Sequence, residues 1–393
     1  MSVYLDHAAT TPLRPEARDA WLEASAVVGN ASSIHGSGQR ARRILEDARD
    51  RVAAAVDCEP IEVVFTSGGT ESINLAVTGL LGARRASGYG TIVAPEGEHH
   101  ATLDTLQWFA GHGDARVTWV GIQPDGVLDL ARWRTAVAAP DVALATLLAA
   151  NNETGARQPV RDAAIAAAEA GVPLHVDAVS AFGHVPVAFR QWRTATGSRG
   201  AGLVAMSIAA HKIGGPVGLG ALIVARETTL TPLQHGGGHQ RGLRAGTQDV
   251  AGAAAFAIAA ELAIAELDAE AVRLAALRDR LEAGIRATIP EAVVSAGEVD
   301  RLPGTLHVVF PGAQGDSLLL LLDAAGIAVS TGSACQAGTP EPSHVLLAMG
   351  RSAADARSAL RLTLGRTSTS ADIDAVLAAL PPAYARARRA GLS

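Results

Sequence analysis

The sequence predicts an α/β protein with a largely parallel sheet covered by helices on both faces, followed by a smaller α+β domain. Its 393 residues, 48% hydrophobic and 18% charged, suffice for two or three domains with buried cores. Short apolar strands alternate with amphipathic helices through the first 250 residues or so, which is typical of a parallel sheet. After the glycine-rich stretch 236–246 this alternation ends, and a long helix and mixed strands and helices follow.

Seven apolar segments predict the strands of the large sheet: 63–66, 91–94, 117–120, 142–149, 174–177, 203–207 and 220–225. Helical patterns lie between them, the clearest at 39–56, 73–81 and 161–170. In the second part, the pattern predicts one long helix over 250–287, strands at 306–310, 327–330 and 360–364, and helices over 316–325 and from Ser370. We place the large domain at 14–257 and the small domain at 1–13 together with 258–393.

Charge and composition exclude several classes of partner. The net charge of −6 favours neither nucleic acid nor an anionic membrane surface. The apolar helical run 250–260 is 11 residues long, whereas a bilayer span needs about 20. The two cysteines, Cys58 and Cys335, cannot build a disulfide framework or a cysteine zinc site. With an N-terminus that lacks the pattern of a signal peptide, we expect a reducing, cytoplasmic location.

Lys212 is the only lysine among 33 lysine and arginine residues. Arginine replaces lysine wherever a positive charge suffices, but it cannot supply a primary amine that loses its proton and attacks a carbonyl. The alternative is that this one lysine survives by chance in an arginine-biased chain. The position after an apolar strand, beside His211 and before a glycine-rich loop, favours a chemical role, because desolvation there would favour the neutral amine. Lys212 is therefore a candidate for a Schiff base with pyridoxal 5'-phosphate (PLP).

Other chemistry-bearing residues follow predicted strands. Small residues at 67–71 form a strand-to-helix turn that suits a phosphate, although such turns are also common as plain helix caps. Asp177 ends a strand and suits the nitrogen of a pyridine ring, with a helix N-cap as the alternative. His99 is placed to stack on that ring, and Asn152 to contact cofactor or substrate unless it forms an Asx turn. No metal site is predicted, because His99 and His100 are adjacent and point apart.

Cys335 lies among small polar residues and glycines in the stretch 330–338. An accessible thiol in such a setting is a candidate nucleophile. Cys58 follows a predicted helix without comparable surroundings, and we assign it a structural role.

Together these motifs resemble the group I (NifS/IscS-like) cysteine desulfurases of the class V aminotransferase superfamily, whose fold is the PLP-dependent transferase fold type I. The resemblance covers nearly the whole chain and rests on residues 4–12, 66–72, 98–100, 151–153, 211–212, 235–238, 244–247, 331–335, 341–346 and 360–366.

The resemblance implies a role for each candidate residue. Lys212 would hold PLP covalently, Asp177 would pair with the pyridine nitrogen, and His99 would stack on the ring and move protons. Asn152 and Arg361 would bind the carboxylate of the substrate. The phosphate would be held by Gly69, Thr70 and His211, joined by Thr247 from the second subunit of a homodimer.

The implied activity is the removal of sulfur from L-cysteine, giving L-alanine and a persulfide on Cys335. A sulfur-acceptor or scaffold protein would receive that sulfur for iron–sulfur cluster or thio-cofactor biosynthesis. Two positions depart from the family: Ser180, beside the ring, replaces a glutamine that bonds the ring hydroxyl, and Ala209 replaces a serine that reaches the phosphate. The alternatives are another class V PLP enzyme, such as a selenocysteine lyase or an aminotransferase-like paralogue, and a non-catalytic binding paralogue.

Overall fold

The computed structural model describes residues 2–194, 200–332 and 341–390. The strands are β1 Val3–Tyr4, β2 Val63–Thr66, β3 Thr91–Pro95, β4 Arg116–Val120, β5 Val142–Leu148, β6 Pro173–Asp177, β7 Gly202–Ala209, β8 Gly220–Val224, β9 Val293–Val294, β10 Thr305–Val309, β11 Ile327–Ala328 and β12 Ala359–Thr363. The helices are α1 Pro15–Ser25, α2 Gly36–Ala55, α3 Gly69–Arg85, α4 His100–Gly111, α5 Leu130–Val137, α6 Val160–Glu169, α7 Phe189–Thr194, α8 Val250–Ala265, α9 Leu267–Thr288, α10 Gly315–Asp323, α11 His344–Ala348, α12 Ala353–Arg357 and α13 Ser370–Ala390.

The large sheet contains seven strands in the order β2-β8-β7-β6-β5-β3-β4. β8 pairs antiparallel with both β2 and β7, and the remaining strand pairs are parallel, so β8 runs opposite to the other six strands. All seven strands predicted from the sequence are present, with ends that differ by a few residues. The predicted mostly parallel α/β sheet is therefore confirmed.

Both faces of this sheet are covered, because successive side chains of a strand point to opposite faces. Val63 and Phe65 belong to the core on one face, where α2, α5, α6, α7 and α8 pack. Val64 belongs to the core on the other face, which is covered by α3 and α4. Burial on both faces explains why these strands read as continuous apolar runs rather than as alternating patterns.

A second, smaller core lies around the antiparallel sheet β12-β10-β9 and the helices α9, α10 and α13. The N-terminal strand joins this core, since Val3 pairs in parallel with Ile327 and Leu5 is buried in it. The domain limits, 14–257 for the large domain and 1–13 with 258–393 for the small one, stay predictions.

The prediction of a single helix over 250–287 is wrong: α8 and α9 meet at Glu266 with a bend of 69°. α8 is apolar except for the exposed Glu261 and packs against α1 and α2, whereas α9 packs against α13 and β10. Arg14 fixes the bend, because its two Nη atoms donate to the Glu266 carboxylate at 3.0 and 2.8 Å. Among the described residues no single helix has the length and apolarity to cross a bilayer, although α8 and α9 taken together across their bend do by length and composition.

Candidate active site

The carboxyl ends of the six codirectional strands meet at one edge of the large sheet, where open α/β folds bind ligands. A cavity of about 380 Å³ lies at this edge, within the usual size of small-molecule sites. The loops after β2, β3, β5, β6 and β7 all reach it. The residues that the sequence predicted and that line this cavity are Gly69, Thr70, His99, Asn152, Asp177, Ser180, His211, Lys212 and Arg361.

One end of the cavity is built to hold an anion. Gly68 turns the chain from β2 into α3 with φ +150° and ψ −175°, a conformation that is essentially restricted to glycine. Gly69 and Thr70 then begin α3, where backbone N–H groups have no partner within the helix. A side chain at Gly69 would place its Cβ 2.7 Å from Val179, so the glycine keeps this approach open. The unpaired N–H groups and the helix dipole favour a phosphate here.

Asp177 is the last residue of β6 and is 6% exposed. One carboxylate oxygen accepts a hydrogen bond from the Val179 N–H at 2.9 Å. Burial raises the pKa of Asp177 to about 6, against the Val179 hydrogen bond and the charge of Lys212, which both lower it. A cationic ligand atom beside the carboxylate would relieve this cost of burial.

Lys212 ends a 3₁₀ turn at the carboxyl end of β7. Its ammonium group donates to the backbone carbonyls of Ala8 and Ala9, which belong to the N-terminal segment. This contact closes the cavity with residues from the start of the chain. Sequence reasoning missed it, because backbone carbonyls leave no signature in the side-chain pattern.

His99 is the N-cap of α4, and its Nδ1 accepts from the Ala101 N–H at 3.0 Å. An accepting Nδ1 assigns the ring proton to Nε2. Burial, followed by the charge of Lys212, lowers the pKa of His99 to about 4. His211 behaves alike, since burial and then Lys212 lower its pKa to about 4. Both imidazoles are therefore neutral near pH 7.

Arg361 lies on β12 and is 5% exposed. Its guanidinium group donates to the Asp6 carboxylate at 2.8 Å and to the Asn152 carbonyl at 2.9 Å. Asp6, which sequence reasoning did not single out, thus orients the guanidinium. Within the described ranges, Nε of Arg361 and Oδ1 of Asn152 are buried without a hydrogen-bond partner. These two groups can bind a carboxylate and an amine or ammonium, respectively.

Comparison with known proteins identifies the family. Residues 3–376 match the family model described as Aminotransferase class-V. This chain belongs to the class-V aminotransferase family. It is 48% identical to the IscS-like cysteine desulfurase of Mycobacterium tuberculosis, over 99% of this chain and 98% of that protein.

Solved structures agree with the class-V assignment. A NifS-like protein superposes with a TM-score of 0.89 at 32% identity, covering 98% of this chain and all of the other. A structure titled SspA in complex with cysteine superposes with a TM-score of 0.78 at 29% identity, covering 93% and 99% of the two chains. The predicted PLP-dependent transferase fold type I is confirmed by these likenesses.

Two predicted site residues of this class-V chain are not among those that line the described cavity, for different reasons. Thr247 is exposed and does not line the cavity of its own chain. Cys335 lies outside the described residues. Cys58 is buried, and burial raises the pKa of its thiol, which fits an inert structural cysteine.

The two departures from the family pattern have different surroundings. Ser180 lines both the main cavity and a small adjoining pocket of about 30 Å³, which also contains His7 and His184. Burial lowers the pKa of His7 to about 4 and also lowers that of His184. Ala209 is buried at the end of β7 and does not line the main cavity. His7 and His184 beside Ser180 are thus neutral imidazoles near pH 7, and Lys212 lines the same pocket.

Proposed function

We propose that this chain is a PLP-dependent cysteine desulfurase, which converts L-cysteine to L-alanine and retains the sulfur as a protein persulfide. The observation that carries the proposal is that the sole lysine, Lys212, shares one cavity with a buried Asp177 and the N-terminus of α3. The desulfurases among the relatives support the same reaction.

The residues present fit PLP. Gly69 and Thr70 suit its phosphate, because they offer N–H groups at a helix N-terminus. Asp177 suits its ring nitrogen, since burial makes an unpaired carboxylate costly there. Lys212 supplies the amine that binds the cofactor covalently. When bound, PLP supplies an electron-withdrawing ring that stabilises negative charge at the α-carbon of an amino acid.

The protein would position the substrate and move its protons. Asp6 holds the guanidinium group of Arg361, which binds the substrate carboxylate. Asn152, in the turn after β5, contacts Arg361 and contributes to the same binding site. The Lys212 amine takes the proton from the α-carbon. His99 presents Nε2–H as a neutral donor, because its Nδ1 is occupied by the Ala101 N–H.

We assign sulfur transfer to Cys335 on the basis of its sequence setting among small polar residues and glycines. The Cys335 thiolate attacks the sulfur of the substrate, so that an S–S bond forms while the C–S bond breaks. The β-carbon of the substrate keeps the electron pair of the broken C–S bond and gains a proton, so that it becomes the methyl group of the released alanine. The outer sulfur atom of the persulfide then passes to an acceptor thiol, which we expect on a separate sulfur-acceptor or scaffold protein.

The proposal includes a homodimer. Thr247 is exposed in its own chain and lies next to Gly246, which has φ +110°. Arg244 anchors this stretch to Glu71 on α3 through an ion pair of 2.8 Å. We propose that Thr247 donates to the phosphate in the second subunit. The free thiols that the reaction needs also favour a reducing, cytoplasmic location.

Mass spectrometry after incubation with L-cysteine tests the reaction. We expect a gain of one sulfur atom on Cys335, removable by a reducing thiol, together with one alanine per sulfur. Cys58→Ala is the matched control, because it removes the other cysteine and should leave both products in place. Cys335→Ala should abolish the persulfide, and full turnover by that variant would disprove the nucleophile. A borohydride-reduced pyridoxyl adduct must appear on Lys212, or the PLP assignment fails.

A further inference from the structure

Glu153 is a buried carboxylate beside the candidate site, at 1% exposure. It follows Asn152 in the turn after β5, and the Asn151 side chain fixes this turn by accepting from the N–H groups of Glu153 and Thr154, both at 2.9 Å. No role for the Glu153 side chain follows from the reaction itself. Burying a carboxylate is costly, so its contacts call for an explanation.

The segment 333–340 rejoins the described chain at residue 341, and Ser343 follows closely. The Ser343 hydroxyl donates to Oε2 of Glu153 at 2.5 Å, a short charge-assisted hydrogen bond between two residues that are each 1% exposed. The same hydroxyl accepts from the Leu346 N–H at 3.2 Å and caps α11. His344 adds a second attachment, because its Nε2 lies 2.8 Å from the Glu98 carbonyl.

The same segment departs from Gly332, which lies against the same carboxylate. Gly332 has φ +85°, and a Cβ at this position would lie 3.4 Å from Oε2 of Glu153. Its N–H donates to Ser330 Oγ at 3.0 Å, and Ser330 pairs through its backbone with Arg361. Gly332 and Ser330 both line the main cavity.

We infer that Glu153 is a positioning residue: its bond to Ser343 holds the chain that follows the Cys335 segment against the turn that carries Asn152. Gly332, which precedes that segment, lies beside the same carboxylate. This inference rests on the proposed function. Three residues of extended chain span at most about 11 Å, so Gly332 sets the point from which Cys335 must reach the substrate. A short segment has fewer accessible conformations when the residues that flank it are fixed, here Ser343 by Glu153 and Gly332 by Ser330. A misplacement of about 1 Å can cost about 100-fold in rate.

Four variants test this role: Glu153→Ala, Glu153→Gln, Ser343→Ala and Ser343→Thr. Glu153→Gln keeps the size and an acceptor oxygen, and Ser343→Thr keeps the hydroxyl. Ser352→Ala is the matched control, because Ser352 caps α12 by accepting from the Asp355 N–H and is exposed. It therefore reports the loss of a helix cap alone.

Three measurements separate positioning from a loss of folding. The first is the change in cofactor absorbance on adding L-cysteine, which precedes sulfur transfer. The second is the single-turnover rate of persulfide formation on Cys335. The third is the rate of Cys335 alkylation by iodoacetamide, a small reagent that needs no positioning.

Glu153→Ala and Ser343→Ala should each slow persulfide formation by about 10- to 100-fold. Their absorbance change should stay within twofold of the parent, and alkylation should not slow. Because both residues serve one contact, the double variant should be no slower than the slower single variant. Ser343→Thr should restore most of the rate, and Glu153→Gln should lie between the parent and Glu153→Ala.

The inference would be overturned if the single variants Glu153→Gln and Ser343→Ala both formed the persulfide at the rate of the parent. So would an equal loss in Ser352→Ala, or a loss of the absorbance change in parallel with the persulfide rate. Failure of the parent protein to form any persulfide would instead refute the proposed function, so the two failures are distinguishable. If Glu153→Ala does not fold, the two Ser343 variants and Glu153→Gln still decide the question.

Discussion

Replacing Asp177 by Asn should stabilise the protein without cofactor and weaken its hold on PLP. The carboxylate is buried, and burial raises its pKa from 3.8 to about 6. Each tenfold change in acidity is worth about 1.4 kcal/mol, so ionisation of Asp177 costs the folded apoprotein about 3 kcal/mol at pH 7.5. Asn keeps the acceptor for the Val179 N–H and avoids this cost. We expect a gain of about 1–3 kcal/mol in the free energy of unfolding at pH 7.5.

The direction in which the stability of the parent changes with pH follows from proton binding by Asp177. Between pH 3.8 and 6 the folded parent holds a proton that the unfolded chain has lost, so its stability falls as the pH rises. The advantage of Asp177→Asn is therefore absent below pH 3.8, about half developed at pH 5 and constant above pH 6. With PLP bound, the parent should be the more stable of the two proteins, because the variant lacks the partner of the protonated ring nitrogen. We expect its cofactor dissociation constant to rise by about 10- to 100-fold.

Urea unfolding of the apoprotein at pH 5.0 and 7.5, followed by circular dichroism, measures this effect. The matched control is Asp323→Asn, which removes the charge of an exposed carboxylate at the end of α10. It should show no comparable pH-dependent gain. An apoprotein of Asp177→Asn that is no more stable than the parent at pH 7.5, or a difference that does not change between the two pH values, would refute the reasoning.

Further expectations concern neighbouring residues. Burial raises the pKa of Glu98 to about 8, so the stability advantage of Glu98→Gln in urea unfolding should grow from pH 4.5 up to pH 8, past the point where that of Asp177→Asn levels off. Parallel pH profiles would contradict the assignment. Gly69→Ala should weaken PLP binding at least tenfold by equilibrium dialysis, because its Cβ meets Val179, and Val179→Ala should restore much of the loss if the clash is the cause. Arg361→Lys should raise the KM for L-cysteine by about 10- to 100-fold with little change in cofactor content, and an unchanged KM would remove Arg361 from the substrate site.

The large sheet could be read from the sequence because its strands are short apolar runs that lie between turn residues and are buried on both faces. The bend at Glu266 could not, since helix-forming residues continue through it and the partner that fixes it, Arg14, is 252 positions away. The roles of Ala8 and Glu153 were missed for similar reasons. Ala8 acts through a backbone carbonyl, and Ser343 lies 190 positions from Glu153. Patterns along the chain report local structure, whereas such pairs depend on how distant segments meet.

The charges around the cavity also determine how the anion is held. Since burial lowers the pKa of both His99 and His211 to about 4, neither imidazole is protonated between pH 5.5 and 8. A phosphate near Gly69 and Thr70 must therefore be held by backbone N–H groups, hydroxyl groups and neutral N–H donors, together with the positive end of the α3 dipole. None of these groups titrates in that range. Between pH 5.5 and 8 the pH dependence of PLP binding should therefore arise from Asp177 and from the phosphate itself, whose second pKa is about 6, rather than from the histidines.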